Sequence, residues 1–126
     1  MPFFLTLMIT NKKISTFELK KINQKIDVLI SQSNFDEAKR LLEIVLLSYP
    51  SHPDLLSKLA TILFIQKDFN SSVEIIKKSL EKNPYQPQAF NNLGIALIEL
   101  SDFKGAEEAL YRADRKSTRL NSSHEW

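Results

Sequence analysis

A single stride of 34 residues organises this chain. Pro50 and Pro84 are 34 apart, Pro53 and Pro87 are 34 apart, and Phe35, Phe69 and Phe103 form a series at the same interval. The residue before each Phe is Asn34, Asp68 or Asp102, and three apolar series keep the step: Ile22, Leu56 and Phe90, then Leu29, Leu63 and Leu97, then Leu42, Ile76 and Leu110. A fixed period of this length marks a repeated supersecondary unit, one that buries its apolar face only by stacking on its neighbours. Within a copy the apolar spacing is three to four residues, as in Leu56, Leu59 and Leu63, then Val73, Ile76 and Leu80, so each copy is two helices.

The pattern places helices near 18–32 and 36–48, 54–66 and 70–82, and 88–100 and 104–113. Asn34, Asp68 and Asp102 are placed to accept hydrogen bonds from the free amides that open each second helix, and the following Phe to pack back between the paired helices. The same logic expects burial for Phe90, Phe103 and Tyr85. Between copies, Pro50 and Pro84 stop one helix. Pro53 and Pro87 suit the first turn of the next, where the missing amide would have had no partner anyway. With Gly only 2 and Pro 5 in 126 residues, composition agrees with helices over turn-rich sheet.

These residues resemble the tetratricopeptide repeat family, over about Leu19 to Ala113. The third copy carries Phe90, Leu93, Gly94, Leu97, Phe103, Ala106, Leu110 and Ala113 on the family's pattern. The second carries Leu56, Leu59, Ala60, Leu63, Phe69, Ser72, Ile76 and Pro84. Gly94 and Ala60 are expected to face Ala106 and Ser72, because closely approaching helices require small side chains. In the first copy Phe35, Ala38, Leu42 and Pro50 agree, but Lys25 and Ile26 stand where the family has Leu and a small residue, as befits a divergent terminal repeat. The resemblance implies an all-α fold, an α-solenoid of three antiparallel helix-turn-helix hairpins forming a right-handed superhelical segment. Its parts would be a divergent repeat at 19–52, a repeat at 53–86 and a truncated one at 87–113, after an N-terminal extension at 1–17.

From Asp114 to His124 the chain matches one reading frame of a common short-read sequencing adapter, with Glu125 and Trp126 as barcode. Residues 114–126 are therefore read as an artefactual tail and set aside, the alternative being a genuine polar, disordered terminus, which their Ser, Asn and Arg content would also fit. The natural protein is expected to continue past Ala113 with further repeats or another domain. Removing Asp114, Arg115, Lys116, Arg119 and Glu125 lowers the formal net charge from +2 to +1, too little for a strong field toward nucleic acid or an anionic membrane. The apolar start, Met1 to Ile9, lacks a preceding positive charge and a cleavage site and is too short to span a bilayer. It reads as a packed cap, or as a leader misassigned ahead of a start at Met8.

No cysteine is present, which removes thiolate chemistry and makes a cytoplasmic location the default expectation. No cofactor, metal or nucleophile motif occurs. With the tail set aside, His52 is the one remaining histidine, in a Pro-flanked linker, and no catalytic residue is assigned. Lys12, Lys13, Lys20, Lys21 and Lys25 cluster without the aromatic interleaving of a nucleic-acid module and read as a solvated helix face.

The resemblance further implies a protein-binding scaffold whose inner face comes from each first helix. Here that face offers Lys20, Asn23, Gln24, Asp27, Asp54, Ser57, Lys58, Thr61, Gln88, Asn91, Asn92 and Ile95. Such amides and lysines can meet an extended peptide's backbone or carboxylates, with Phe64 and Ile98 as apolar footing. Asp27, Lys58 and Gln88 depart from the set with which some members clamp a peptide's terminal carboxylate. A rival expectation makes the segment the arm of a larger enzyme, such as a glycosyltransferase or sulfotransferase.

Overall fold

The computed structural model describes residues 13–121, with side chains up to Asp114. The readings of Met1 to Ile9, of Lys12 and of the end of the adapter-like tail fall outside the described residues. Among the described residues there are six helices and no strand: α1 (Thr16–Ser31), α2 (Phe35–Ser48), α3 (Pro53–Ile65), α4 (Phe69–Lys82), α5 (Pro87–Glu99) and α6 (Phe103–Asn121). Each starts or stops within two residues of the expected bounds, save one. α6 runs on past Ala113 to Asn121, because nothing between 114 and 121 is Pro or Gly and a helix once formed has no reason there to stop.

The helix starts follow from local chemistry. Pro53 and Pro87 occupy first-turn positions, as expected. Ser15 caps α1 in a reciprocal arrangement with Glu18, each side chain accepting from the other's backbone amide. The Asp68 carboxylate accepts from the Ser71 amide at 3.4 Å, and Asp102 from the Gly105 amide at 3.1 Å. Asn34 makes no such bond, contrary to expectation; a neutral amide gains less from the positive helix end than a carboxylate does. Each hairpin turns on a residue with left-handed backbone, Ser33 (φ 59°), Lys67 (φ 67°) and Ser101 (φ 65°), again 34 apart.

The chain divides into two compact units, Met1–Pro50 and Ser51–Trp126. In the first, Ile22, Ile26 and Leu29 of α1 and Ala38, Leu41, Leu42 and Val45 of α2 are buried. The approach to α1 is tied to the far end of α2. The buried Ile14 donates its amide to Ser48 Oγ at 3.1 Å, and its carbonyl accepts from the Tyr49 hydroxyl at 2.6 Å. Lys13 Nζ lies 5.2 Å from the Tyr49 ring centre, within range of a cation–π attraction.

In the second unit, four helices share one apolar cluster, built from Ala60, Val73, Ile76, Ala89, Phe90, Leu93, Ala96, Leu97, Ala106, Ala109 and Ala113. Phe64 and Phe69 pack against it, their rings edge-on at 5.5 Å. The close approaches use small residues. The buried Ser72 hydroxyl donates to the Ala60 carbonyl at 2.9 Å. A Cβ on Gly94 would come within 2.5 Å of Leu110 Cγ, so the wall that demands glycine is Leu110 and not Ala106.

Two aromatic expectations fail. Phe103 is 65% exposed and Tyr85 61%. Phe69 is half-buried because α5 follows and its cluster lies against the ring, whereas among the described residues no helix performs that service for Phe103. Tyr85 stands in the irregular joint between α4 and α5, outside both helices. Phe90, at 6%, is buried as expected.

Candidate functional site

Eight of the proposed groove residues belong to α3 and α5 of the second unit, and the structure gathers four of them around one crevice. Ser57, Thr61, Gln88 and Asn92 line it together with Ala60, Ile76, Gln86 and Ala89, enclosing 110 Å³. Beyond Gln88 a wider depression of 420 Å³ is lined by Pro87, Gln88, Asn91, Leu110, Ala113 and Asp114. Between the two hollows runs a ridge of side-chain amides, with Gln88 Nε2 donating to Asn92 Oδ1 at 3.0 Å one helical turn away.

The polar groups of this face fall into two sorts. Some are committed within the protein. Ser57 Oγ donates to Gln86 Oε1 at 2.7 Å and lies 2.9 Å from Ser79 Oγ. The fully buried Ser79 hydroxyl donates to the Pro53 carbonyl at 3.0 Å and accepts from Gln86 Nε2 at 3.1 Å. Gln86 Nε2 also reaches the Asn83 carbonyl at 2.7 Å. This network joins the start of α3, the end of α4 and the approach to α5. Thr61 Oγ1 donates to its own helix at the Ser57 carbonyl, 2.9 Å away, and the Lys58 ammonium is held by Asp54 at 3.2 Å. The remaining groups are uncommitted. The Asn91 side chain and the amino group of Asn92, both half-buried, have no partner among the described residues. A half-buried amide without a partner is the group that gains most when a ligand's backbone arrives.

Ile95 stands 37% exposed one turn further along α5. Asn23, Gln24 and Asp27, with Lys20, lie on α1 in the first unit and are described there by themselves: Asn23 is half-buried and the others exposed. His52 caps α3, its Nδ1 accepting from the Leu55 amide at 3.4 Å, a structural task. Among the described residues no cluster of three His, Asp or Glu side chains could hold a metal ion, and no helix is long and apolar enough to cross a membrane.

Sequence reasoning missed the Ser79–Gln86 network and a broad cleft in the second unit. Ser79 had a signal: it falls 34 residues after Val45 and 34 before Ala113, both buried. The cleft, 520 Å³, lies between α4 and α6 over Phe90, Leu93 and Leu97, with Lys77 and Arg112 among its walls. It arises where two second helices diverge, which no local pattern announces.

Solved structures share this arrangement. The chain superposes on the TPR2B domain of yeast Sti1 in complex with an Hsp70 peptide, with TM-score 0.77, 19% identity, and coverage of 84% of this chain and 85% of that one. It superposes equally on the first TPR of Spaghetti (RPAP3) bound to the HSP90 peptide SRMEEVD, with TM-score 0.77, 18% identity, and coverage of 88% and 86%. A MamA RS-1 double mutant gives TM-score 0.74 at 19% identity over 81% of this chain, which spans 57% of the MamA length. At such identities the likeness speaks to the fold alone. No curated protein matches the sequence. The tetratricopeptide repeat family model matches residues 23–87, a little over half of the chain. The match agrees with three hairpins at a constant 34-residue step, and the chain belongs to the tetratricopeptide repeat family.

Proposed function

We propose that the chain is a protein-interaction scaffold and that the α3–α5 face of its second unit binds an extended peptide segment of a partner protein. The observation that carries this reading is the half-buried Asn91 amide and the half-buried Asn92 amino group, both without a partner among the described residues, beside two hollows. Side-chain amides offer a donor and an acceptor at once, the pairing that an extended backbone presents along its length. The Sti1 and Spaghetti neighbours, which hold chaperone peptides, support a peptide as the ligand class.

The chemistry of this face differs from a carboxylate clamp. Lys58 is neutralised by Asp54, and Gln88 carries no charge, so attraction to an acidic tail is weak. The peptide recognised is expected to be read by backbone hydrogen bonds, with apolar side chains entering the hollows. Screening a peptide array and then titrating the best ligand tests this. Asn92→Ala should weaken binding about tenfold, the scale of one hydrogen bond to a partly desolvated group. Wild-type affinity in both Asn92→Ala and Asn91→Ala would refute the site.

A further inference from the structure

The smaller crevice between α3 and α5 has walls that are polar by composition and apolar in behaviour. Ser57, Thr61 and Gln86 line it, yet every polar side-chain hydrogen of the three is committed inside the second unit. Thr61 Oγ1 donates to the Ser57 carbonyl of its own helix at 2.9 Å, and Ser57 Oγ donates to Gln86 Oε1 at 2.7 Å. Gln86 Nε2 directs its two hydrogens to the Asn83 carbonyl at 2.7 Å and to Ser79 Oγ at 3.1 Å.

The rest of the lining agrees. Ala60, Ile76 and Ala89 are buried and offer only carbon from their side chains. The main-chain amides that open α5 point along the helix axis and not across the crevice toward α3. Capacity left over belongs to the exposed Gln88 and to the Asn92 amino group, which the peptide reading gives to a ligand's backbone. A carboxylate or carboxamide entering the crevice would leave water and meet no side-chain hydrogen in these walls, whereas an aliphatic group has nothing to lose. Size narrows the choice. A cavity of about 150 Å³ accommodates a six-carbon ring, so the 110 Å³ here accommodates about four carbons. Valine, leucine and isoleucine side chains are of that size, and the side chain of phenylalanine exceeds it.

We infer that this crevice is a specificity pocket which takes one short aliphatic side chain, that of valine, leucine or isoleucine, from the bound segment and turns away acidic and amide side chains. The inference rests on the peptide reading above and deepens it, adding to backbone recognition the identity of one residue. Asn92 is common to both parts, since it borders the crevice and carries the amino group offered to the backbone. Backbone contacts hold any extended segment, and the crevice then selects among segments by the side chain that enters it.

Blocked heptapeptides of Gly and Ser with one central guest residue test this on the full chain, read by the methyl NMR signals of Ala60, Thr61, Ile76 and Ala89. Val, Leu and Ile guests should move those signals and bind about tenfold more tightly than Asn or Asp guests, near-isosteres of Leu whose oxygens would go unanswered. A Phe guest should bind no better than Gly. Thr61→Leu, which fills the crevice with an aliphatic group of its own, should bring the Leu guest down to the level of Gly, with far-UV circular dichroism showing the helices intact. The guest series itself needs no variant and decides the matter should that one fail to fold. Val and Leu guests no tighter than Asn or Asp overturn the inference, as does a Leu guest that a folded Thr61→Leu chain binds undiminished. Where binding in those cases still falls in Asn92→Ala, the peptide reading stands without the pocket; where no guest peptide binds in a way that depends on Asn91 or Asn92, both fall.

Discussion

The first and third hairpins occupy the same register and solve the same packing problem in opposite ways. At the crossing of the paired helices the third has Gly94 and the first has Ile26, two strides earlier. Gly94 lets Leu110 of the facing helix press against the α5 backbone. Ile26 is itself fully buried and fills the space with its own side chain, and α1 and α2 touch less extensively than α5 and α6 do. What the first hairpin lacks in close approach it replaces with ties at its open side, where Ile14 is bonded to both Ser48 and Tyr49. A repeat family is thus defined by the stride, while the filling of each crossing is negotiable between backbone proximity and side-chain volume.

Ile26→Ala breaks the comparison most directly. Imitating the small residue of the other copies should not tighten the first hairpin; it should empty a fully buried site and cost about 3 kcal/mol in urea unfolding. A neutral result would mean that α1 and α2 close up to the spacing of the other pairs. The periodic Phe residues sharpen the contrast further. Phe69→Ala should cost about 2 to 3 kcal/mol, less than a fully buried ring because it is only half-buried, while Phe103→Ala should stay within about 0.5 kcal/mol for the isolated chain at low concentration. Equal losses at the two positions would show that the Phe103 ring is covered in solution.

These differences also mark what the sequence could convey. The six helices were legible because the apolar series repeats at one stride, and each copy confirms the bounds of the others. Caps at Asp68 and Asp102 were legible because a carboxylate before a helix has one strong use. Exposure of Phe103 was not, since identical residues in a periodic series take different environments when the neighbour that covers them differs. The candidate face was legible as a set of polar positions on α3 and α5. Which of them keep free hydrogen-bonding groups was not, because Ser57 and Thr61 read the same as Asn91 and Asn92 until their partners in Ser79, Gln86 and the helix backbone are known.

The hairpin turns carry a small effect, and the one of opposite sign. Ser33, Lys67 and Ser101 adopt a left-handed backbone that a Cβ makes unfavourable, yet none of them is glycine. The conformation is enforced from both sides: the Lys67 amide donates to the Phe64 carbonyl at 3.0 Å, and the Asp68 amide reaches back to the Leu63 carbonyl at 2.9 Å. Those bonds use backbone atoms only, so they survive any side chain at position 67. Lys67→Gly should therefore stabilise the second unit by about 0.5 to 1 kcal/mol, the relief of left-handed strain being partly offset by the greater freedom glycine gives the unfolded chain. Urea midpoints at equal slope measure it. A loss of stability would mean that the Lys67 side chain, exposed though it is, holds the turn by contacts that outweigh the strain.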